Sequence, residues 1–481
     1  MKTLLIRGGT VVDGTGARPR RADVFLVNDY VMRVGPNLKG RADAVIDAGG
    51  KVVAPGFIDT HSHADGGILE NPDAETQIRQ GITTSIVGQD GGSHLPLTEW
   101  FGQLRKKSVA LNLASFVGHG TVRGQVMGKD YKRKATPAEV QKMAALVTRE
   151  MKVGALGLSS GLEYDPGLYS DVTEVIALAR AASRFGGIYI SHVRDEENEA
   201  LTSFKELIRI AKEGRLPAQI SHIKLASSPV WGKTGEVFRL MDDAKKHGLD
   251  ITADVYPYTY WQSSIVVIIP TREWGNRALW ETGLKEIGGA GNVLLSGYEP
   301  DPAWQGKTLA EISRLTGKDP VTVIQEIVAK THGDKPAGES VVVTAMQEAD
   351  LRAFIAHPRI MFCTDGGLRG THPRGAGSYP RVLGKYVRDE KVLPLEEAVR
   401  KMTGLPAWRM GLRDRGQLKP GKKADVVIFD PKTIHDTATP KDPRSAPVGL
   451  TEVLVNGVPV LQGGKITGAR PGQVLRRLAG G

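Results

Sequence analysis

Short apolar runs alternate with segments that carry helix start and stop signals over most of this chain, and the two ends break the rhythm. Residues 1 to 54 read as short strands with tight turns: Leu4-Leu5-Ile6, Thr10-Val11-Val12, then Val24–Val27 and Val31–Val34 around Asn28-Asp29. The C-terminal part resumes that pattern in Asp425–Phe429 and in a hairpin where Asn456-Gly457 joins Val453–Val455 to Val458–Val460. Asn-Gly suits a type I′ turn, whose twist matches that of the flanking strands. Between the ends, eight candidate strands follow one another: Phe57–His63, Ile82–Gly88, Asn112–Gly118, Gly154–Ser160, Gly187–His192, Ala218–His222, Leu249–Asp254 and Arg359–Asp365. Thr136-Pro137-Ala138-Glu139 is a capping box with proline at the first helical position. Asp171 can cap the next helix, which Gly186-Gly187 stops.

Eight strands in a β-then-α rhythm predict an α/β fold, a (β/α)₈ TIM-like barrel rather than an open sheet. A small β-sandwich domain built from residues 1–54 and 416–481 is expected beside a barrel spanning 55–415. The interval 262–358 is too long for an ordinary connection, so it reads as an inserted segment near the barrel mouth.

At 481 residues, with ordinary apolar and charged fractions, the chain has room for one large domain and a smaller one. The start has too short an apolar run for a signal peptide, and no run reaches membrane-spanning length, so a cytoplasmic protein is expected. A lone cysteine, Cys363, excludes an intrachain disulfide framework and fits a reducing compartment. The formal charge of +11 is scattered among acids rather than gathered in basic tracts. This argues against nucleic acid and for small, anionic substrates.

Candidate chemistry collects at the strand ends. His61 and His63 are two residues apart, and residues i and i+2 of a strand share a face. His192, His222 and Asp365 end three further runs, at the edge where barrel enzymes keep their chemistry. Neutral histidines with carboxylates suit zinc or a similar divalent ion, and an open coordination position lowers the pKa of bound water to about 7. Asp365 has the reach to relay a proton from that water to a leaving nitrogen. His119, after the third strand, is placed to assist a carbonyl oxygen.

Several segments then point to a family. Pro55-Gly56-Phe57-Ile58-Asp59-Thr60-His61-Ser62-His63, Ser191-His192-Val193-Arg194-Asp195-Glu196, Ser221-His222-Ile223-Lys224, Asp254-Val255-Tyr256-Pro257-Tyr258 and Thr364-Asp365-Gly366 resemble motifs of the N-acyl-D-amino-acid deacylases (D-aminoacylases) of the amidohydrolase superfamily. So do Tyr379–Gly384, Lys401–Ala407 and Gly416–Asp425. The resemblance covers nearly the whole chain. It departs where the family usually has a metal-binding cysteine after strand two, because this chain has Gly88-Gln89-Asp90-Gly91. It departs again after strand four, where an apolar residue is usual and Glu163 stands. Superfamily relatives outside this branch bridge two metals with a strand-four carboxylate. Glu163 is therefore the first choice for bridging ligand and Asp90 the second, and Glu163→Ala is expected to lose more metal than Asp90→Ala. The resemblance also implies that Lys224, Tyr256 and Arg374 bind the substrate's α-carboxylate.

The expected activity is hydrolysis of the amide of an N-acyl-D-amino acid, or of a dipeptide with a C-terminal D-residue, with one or two zinc or similar ions. The alternatives are a cyclic-amide hydrolase of dihydroorotase or hydantoinase type and a non-catalytic scaffold on the same fold. No nucleic-acid or membrane partner is expected, and the oligomeric state stays open.

Overall fold

The computed structural model describes residues 2–333 and 336–477. The chain opens with β1 (Thr3–Val11), β2 (Arg20–Val27), β3 (Tyr30–Gly35), β4 (Ala44–Asp47) and β5 (Val52–Pro55). The barrel strands follow as β6 (Phe57–Asp59), β7 (Ile82–Val87), β8 and β9 (Asn112–Ser115 and Val117–Gly118), β10 (Gly157–Gly161), β11 (Ile188–His192), β12 (Ala218–Ile220) and β13 (Ile251–Val255). After β14 (Tyr260–Ser263), β15 (Val293–Tyr298) and β16 (Glu339–Thr344) comes β17 (Ile360–Phe362). The chain closes with β18 (Val426–Phe429), β19 (Leu450–Val455), β20 (Val458–Gln462) and β21 (Lys465–Ile466).

Each of the eight candidate barrel strands exists, though those before His63, His222 and Asp365 end earlier than expected, at Asp59, Ile220 and Phe362, and all run parallel in two arcs, β6-β7-β8 and β9-β10-β11-β12-β13-β17. The arcs meet where Phe116 N donates to the Val87 carbonyl and where Ser62 bridges in parallel to Gly366. The helices between them start as the sequence signals require. Thr136 and Glu139 form a reciprocal cap on Pro137–Val153, and the Asp171 carboxylate accepts from the backbone N–H groups of Thr173 and Glu174.

Both chain ends enter one nine-stranded sheet in the order β21-β20-β19-β18-β5-β1-β2-β3, with β4 pairing β1. Successive residues of β5 and β18 feed opposite sides. Val53, Val426 and Ile428 pack with Ile6, Val11 and Leu454, whereas Val52, Ala54, Val427 and Phe429 join the barrel's apolar core. Burial on both faces explains why Val426–Phe429 is apolar without alternation. In the β19–β20 hairpin, Asn456 and Gly457 take φ of 48° and 76°, the left-handed pair a type I′ turn needs. A Cβ on Gly457 would come 2.0 Å from the Asn28 carbonyl, so this turn also docks against the β2–β3 turn.

The segment after β13 carries its own antiparallel sheet, β14-β16-β15, and its own core around Trp280, Leu295, Ile324 and Val343. The helix Glu348–Ala356 packs on β17 and serves the barrel, so the independent part ends before it.

Candidate metal and substrate site

Every barrel strand ends at one mouth, and the side chains there enclose a cavity of about 570 Å³ lined by His63, Asp90, Glu163, His192, His222, Lys224, Asp365 and Arg374. The strand ends are cross-braced from below. Asp59 accepts from Thr364 N at 2.9 Å and from its Oγ1 at 2.5 Å, tying β6 to β17. Asp254 Oδ1 accepts from His222 N at 2.5 Å while its Oδ2 accepts from Thr60 at 2.8 Å and Gln219 at 2.5 Å. Burial pushes Asp59 up to about 7. Neither brace stands out in the sequence, where each reads as one more acid near a strand end.

His61, His63, Asp90 and Asp365 lie within ligating distance of one another, and so do Asp90, His192 and His222. Asp90 belongs to both of these groups, and His192 also belongs to a third, with Glu163 and Glu196. The Asp90 carboxylate oxygens lie 3.3 Å from His61 Nε2, 3.2 Å from His63 Nε2 and 3.5 Å from His222 Nε2. Of the two acids, Asp90 lies nearer the middle of the histidines. Glu163 touches only His192, its Oε2 lying 2.5 Å from Nε2, because β10 delivers it to the outer side of that ring. Asp90 reaches the centre because Gly161 has no side chain. A Cβ there would come 2.3 Å from the Asp90 carbonyl. Asp90, His222 and Asp365 all hold positive φ, 53°, 33° and 49°. Such conformations cost on the order of 1–3 kcal/mol each and persist where surrounding structure over-determines them.

Burial opposes ionisation of Asp365, yet Arg374 and His222 hold its carboxyl well below the usual range. Asp90 is likewise held down against burial by His61 and His222. Burial and Lys224 work against His222, but Asp365 and Glu196 carry it up to about 10. His192, by contrast, is taken down to about 4, by burial first. Asp90 Oδ1 and His61 Nδ1 are buried without a hydrogen-bond partner. An imidazole-and-carboxylate donor set with an orphaned carboxylate oxygen at its centre fits one or two divalent cations.

The groups implied for carboxylate binding are more committed than expected. Lys224 Nζ sits 2.7 and 2.8 Å from the Glu196 oxygens and 2.6 Å from His222 Nδ1. Arg374 is buried at the start of the helix Arg374–Arg381, with Nη1 2.6 Å from Asp365 Oδ2 and Nε unpartnered. The Tyr256 ring lies under both cations, and its Oη has no partner. Burial raises that hydroxyl to about 12, so it stays a neutral donor. Glu196, which carries Lys224, received no role from the sequence, although the His192–Glu196 spacing of four was legible. His372 accepts from Arg374 N at 2.9 Å through Nδ1 and donates from Nε2 to the Tyr260 carbonyl at 2.9 Å, which fixes its tautomer and braces the Arg374 turn. His119 does not reach the cavity. Its Nε2 lies 2.8 Å from Glu174 Oε1, and Arg123 pairs with the same carboxylate, so the imidazole is a strut between two helices.

A model of the amidohydrolase family matches residues 44–264 and 297–461. The chain belongs to the amidohydrolase family. The unmatched gap falls inside the inserted segment that carries β15. Among curated relatives, the D-aminoacylase of Alcaligenes xylosoxydans xylosoxydans is 36% identical over 99% of this chain and 98% of its own length. The N-acyl-D-glutamate deacylase of the same organism is 34% identical over 98% and 96%. Among solved structures, the N-acyl-D-glutamate deacylase from Bordetella bronchiseptica, complexed with zinc and a phosphonate mimic of the tetrahedral intermediate, superposes with a TM-score of 0.89 at 33% identity, covering 99% of this chain and all of the other. The barrel expected from the strand rhythm is thus the family's fold. Among the described residues, no helix is long and apolar enough to cross a membrane.

Proposed function

We propose that this protein is a metal-dependent amidohydrolase that cleaves N-acyl-D-amino acids, or dipeptides with a C-terminal D-residue, to a carboxylate and a free D-amino acid. The observation that carries the reading is a single cavity lined by His63, His192, His222, Asp90 and Asp365 together with Lys224 and Arg374, with His61 within ligating distance of Asp90 and Asp365 and the Tyr256 ring against both cations, in a chain alike over its full length to deacylases of D-amino acids. His61, His63 and Asp365 would hold an ion with Asp90, and His192 and His222 would hold one with the same Asp90. When bound, zinc or a similar ion supplies Lewis-acid polarisation of the amide carbonyl and activates water near neutral pH.

The chain's own residues supply the rest. Asp365 is ionised and its Oδ2 is tied to Arg374, so Oδ1 faces the His61–His63 side ready to take a proton and return it to the departing nitrogen. The unpartnered Tyr256 Oη and the buried cations of Arg374 and Lys224 meet the substrate's α-carboxylate, where a charge-assisted contact strengthens in a dry wall. We place residues 1–54 and 416–481 in one β-domain and 55–415 in the barrel with its insertion. A cytoplasmic location suits the lone buried thiol of Cys363. Charges that pair along the surface suit small-molecule rather than nucleic-acid partners.

Purified, metal-analysed protein assayed on matched N-acetyl-D- and N-acetyl-L-amino acids tests the reading. The D-series should be hydrolysed with strong preference. Equal rates on both enantiomers, or turnover of cyclic amides alone, would overturn it.

A further inference from the structure

Glu163 lies off the centre of the ligand cluster, yet it is buried, rigidly delivered and pressed against one ligand. Leu162 N donates to the His192 carbonyl at 3.1 Å, which ties the residue before Glu163 to the end of β11. Arg272 Nη2 donates to the Glu163 carbonyl at 2.8 Å from the other side. The Tyr164 ring lies 4.5 Å from the imidazole, centroid to centroid. These contacts leave the Glu163 carboxylate one partner, His192 Nε2, at 2.5 Å. Glu196, the next acid, is 3.7 Å from that nitrogen and is committed to Lys224.

The two nitrogens of His192 face opposite ways. Nδ1 lies 3.1 Å from His222 Nε2, on the side where Asp90 converges with both rings. A ring nitrogen that ligates must be bare, and its tautomer is set by the hydrogen bond the other nitrogen makes. We propose that Glu163 is a positioning residue that accepts the Nε2–H of His192 and so fixes the tautomer and ring angle that aim Nδ1 at the cation shared with His222 and Asp90. The proposal rests on the metal-centre reading above. It gives the acid that departs from the family pattern a task other than bridging: it tunes a ligand from behind. Leu162 and the Arg272 clamp make this a fixed brace rather than a loop carboxylate.

The test is zinc affinity, read by chelator competition on metal-stripped protein, with cobalt absorption as a second readout. Glu163→Leu should weaken zinc at one site by about 10- to 100-fold while the number of ions held at saturation is unchanged. Glu163→Gln keeps an acceptor oxygen at the same reach and should bind close to the unsubstituted protein, with the cobalt bands in place. Should the leucine variant fail to fold, Glu163→Asp replaces it: its acceptor is withdrawn by one methylene, so it should bind more weakly than Glu163→Gln. Equal affinity across the variants would overturn the proposal, and loss of a whole equivalent of metal in Glu163→Gln would show a direct ligand instead. If the unsubstituted protein itself takes up no divalent ion, the metal-centre reading fails, a result distinct from either.

Discussion

Asp90 is the residue on which the site turns, since it is grouped with all four histidines, within 3.5 Å of His61, His63 and His222. Metal analysis of purified variants should therefore show Asp90→Ala losing more metal than Glu163→Ala, the opposite of the order the sequence suggested. A larger loss in Glu163→Ala would return the bridging task to that residue. The sequence exposed both acids as departures from a family pattern and ranked Glu163 first only by likeness to relatives that bridge two metals from strand four. Their order depends on a positive φ at Asp90 and on the bare Cα of Gly161 beside it, and neither is written in side-chain chemistry. The four histidines and Asp365 were legible because each follows an apolar run that becomes a barrel strand, although only His192 lies within its strand and the others sit in the turns just beyond. His119 also follows a strand, and the structure pairs it with Glu174, fifty-five positions away on a neighbouring helix, a contact no local pattern announces. At Asp365 the expectation is kinetic. Asp365→Asn should lower turnover by at least about 10²-fold, the smaller end of acid/base contributions, with an unchanged far-UV circular dichroism spectrum and a lower Tm as Arg374 loses its counter-charge. Turnover within a few-fold of the unsubstituted enzyme would place the relay elsewhere.

The helix Glu348–Ala356 shows how an element is finished by a distant side chain. Lys401, fully buried on the helix Leu395–Met402, donates from Nζ to the carbonyls of Ile355 and His357, capping the end of that helix. Burial drives this ammonium down to about 7 from an ordinary value of 10.5. Between those values the unfolded chain binds the proton and the folded chain does not, so the group adds stability as pH rises through that window, by up to about 1.4 kcal/mol per pH unit. Below about 7 both states carry the proton and the slope vanishes. Denaturant titrations from pH 7 to 10 should therefore show a shallower rise in Lys401→Met than in the unsubstituted protein, and parallel profiles would refute the assignment. The caps at Thr136 and Asp171 could be read locally, because side chain and target are within three residues. The Lys401 cap could not, because the carbonyls it serves belong to an element over forty positions earlier.

At the scale of the whole molecule, the histidines and acids come from the end of β11 and from the turns after β6, β7, β12 and β17, so a bound cation would clasp the barrel across its circumference. Chelation should abolish activity and lower Tm, and zinc should restore both. At a free concentration one hundred times Kd, the ion contributes about 2.7 kcal/mol. Undiminished amidase activity in metal-free protein would sink the mechanism. The barrel was legible from eight apolar runs in sequence, whereas the joining of both chain ends into one sheet rested only on matching strand-rich composition and needed the β5–β18 pairing to define it. That pairing carries a consequence for a ribosome. β5 runs almost directly into β6 and His61, and its neighbour β18 is translated only after the entire barrel. At about 5–20 residues per second, the nascent strand waits tens of seconds with an open apolar edge. The sheet that joins both ends of the chain therefore closes only after the barrel has been made, when β18 and β19 are translated.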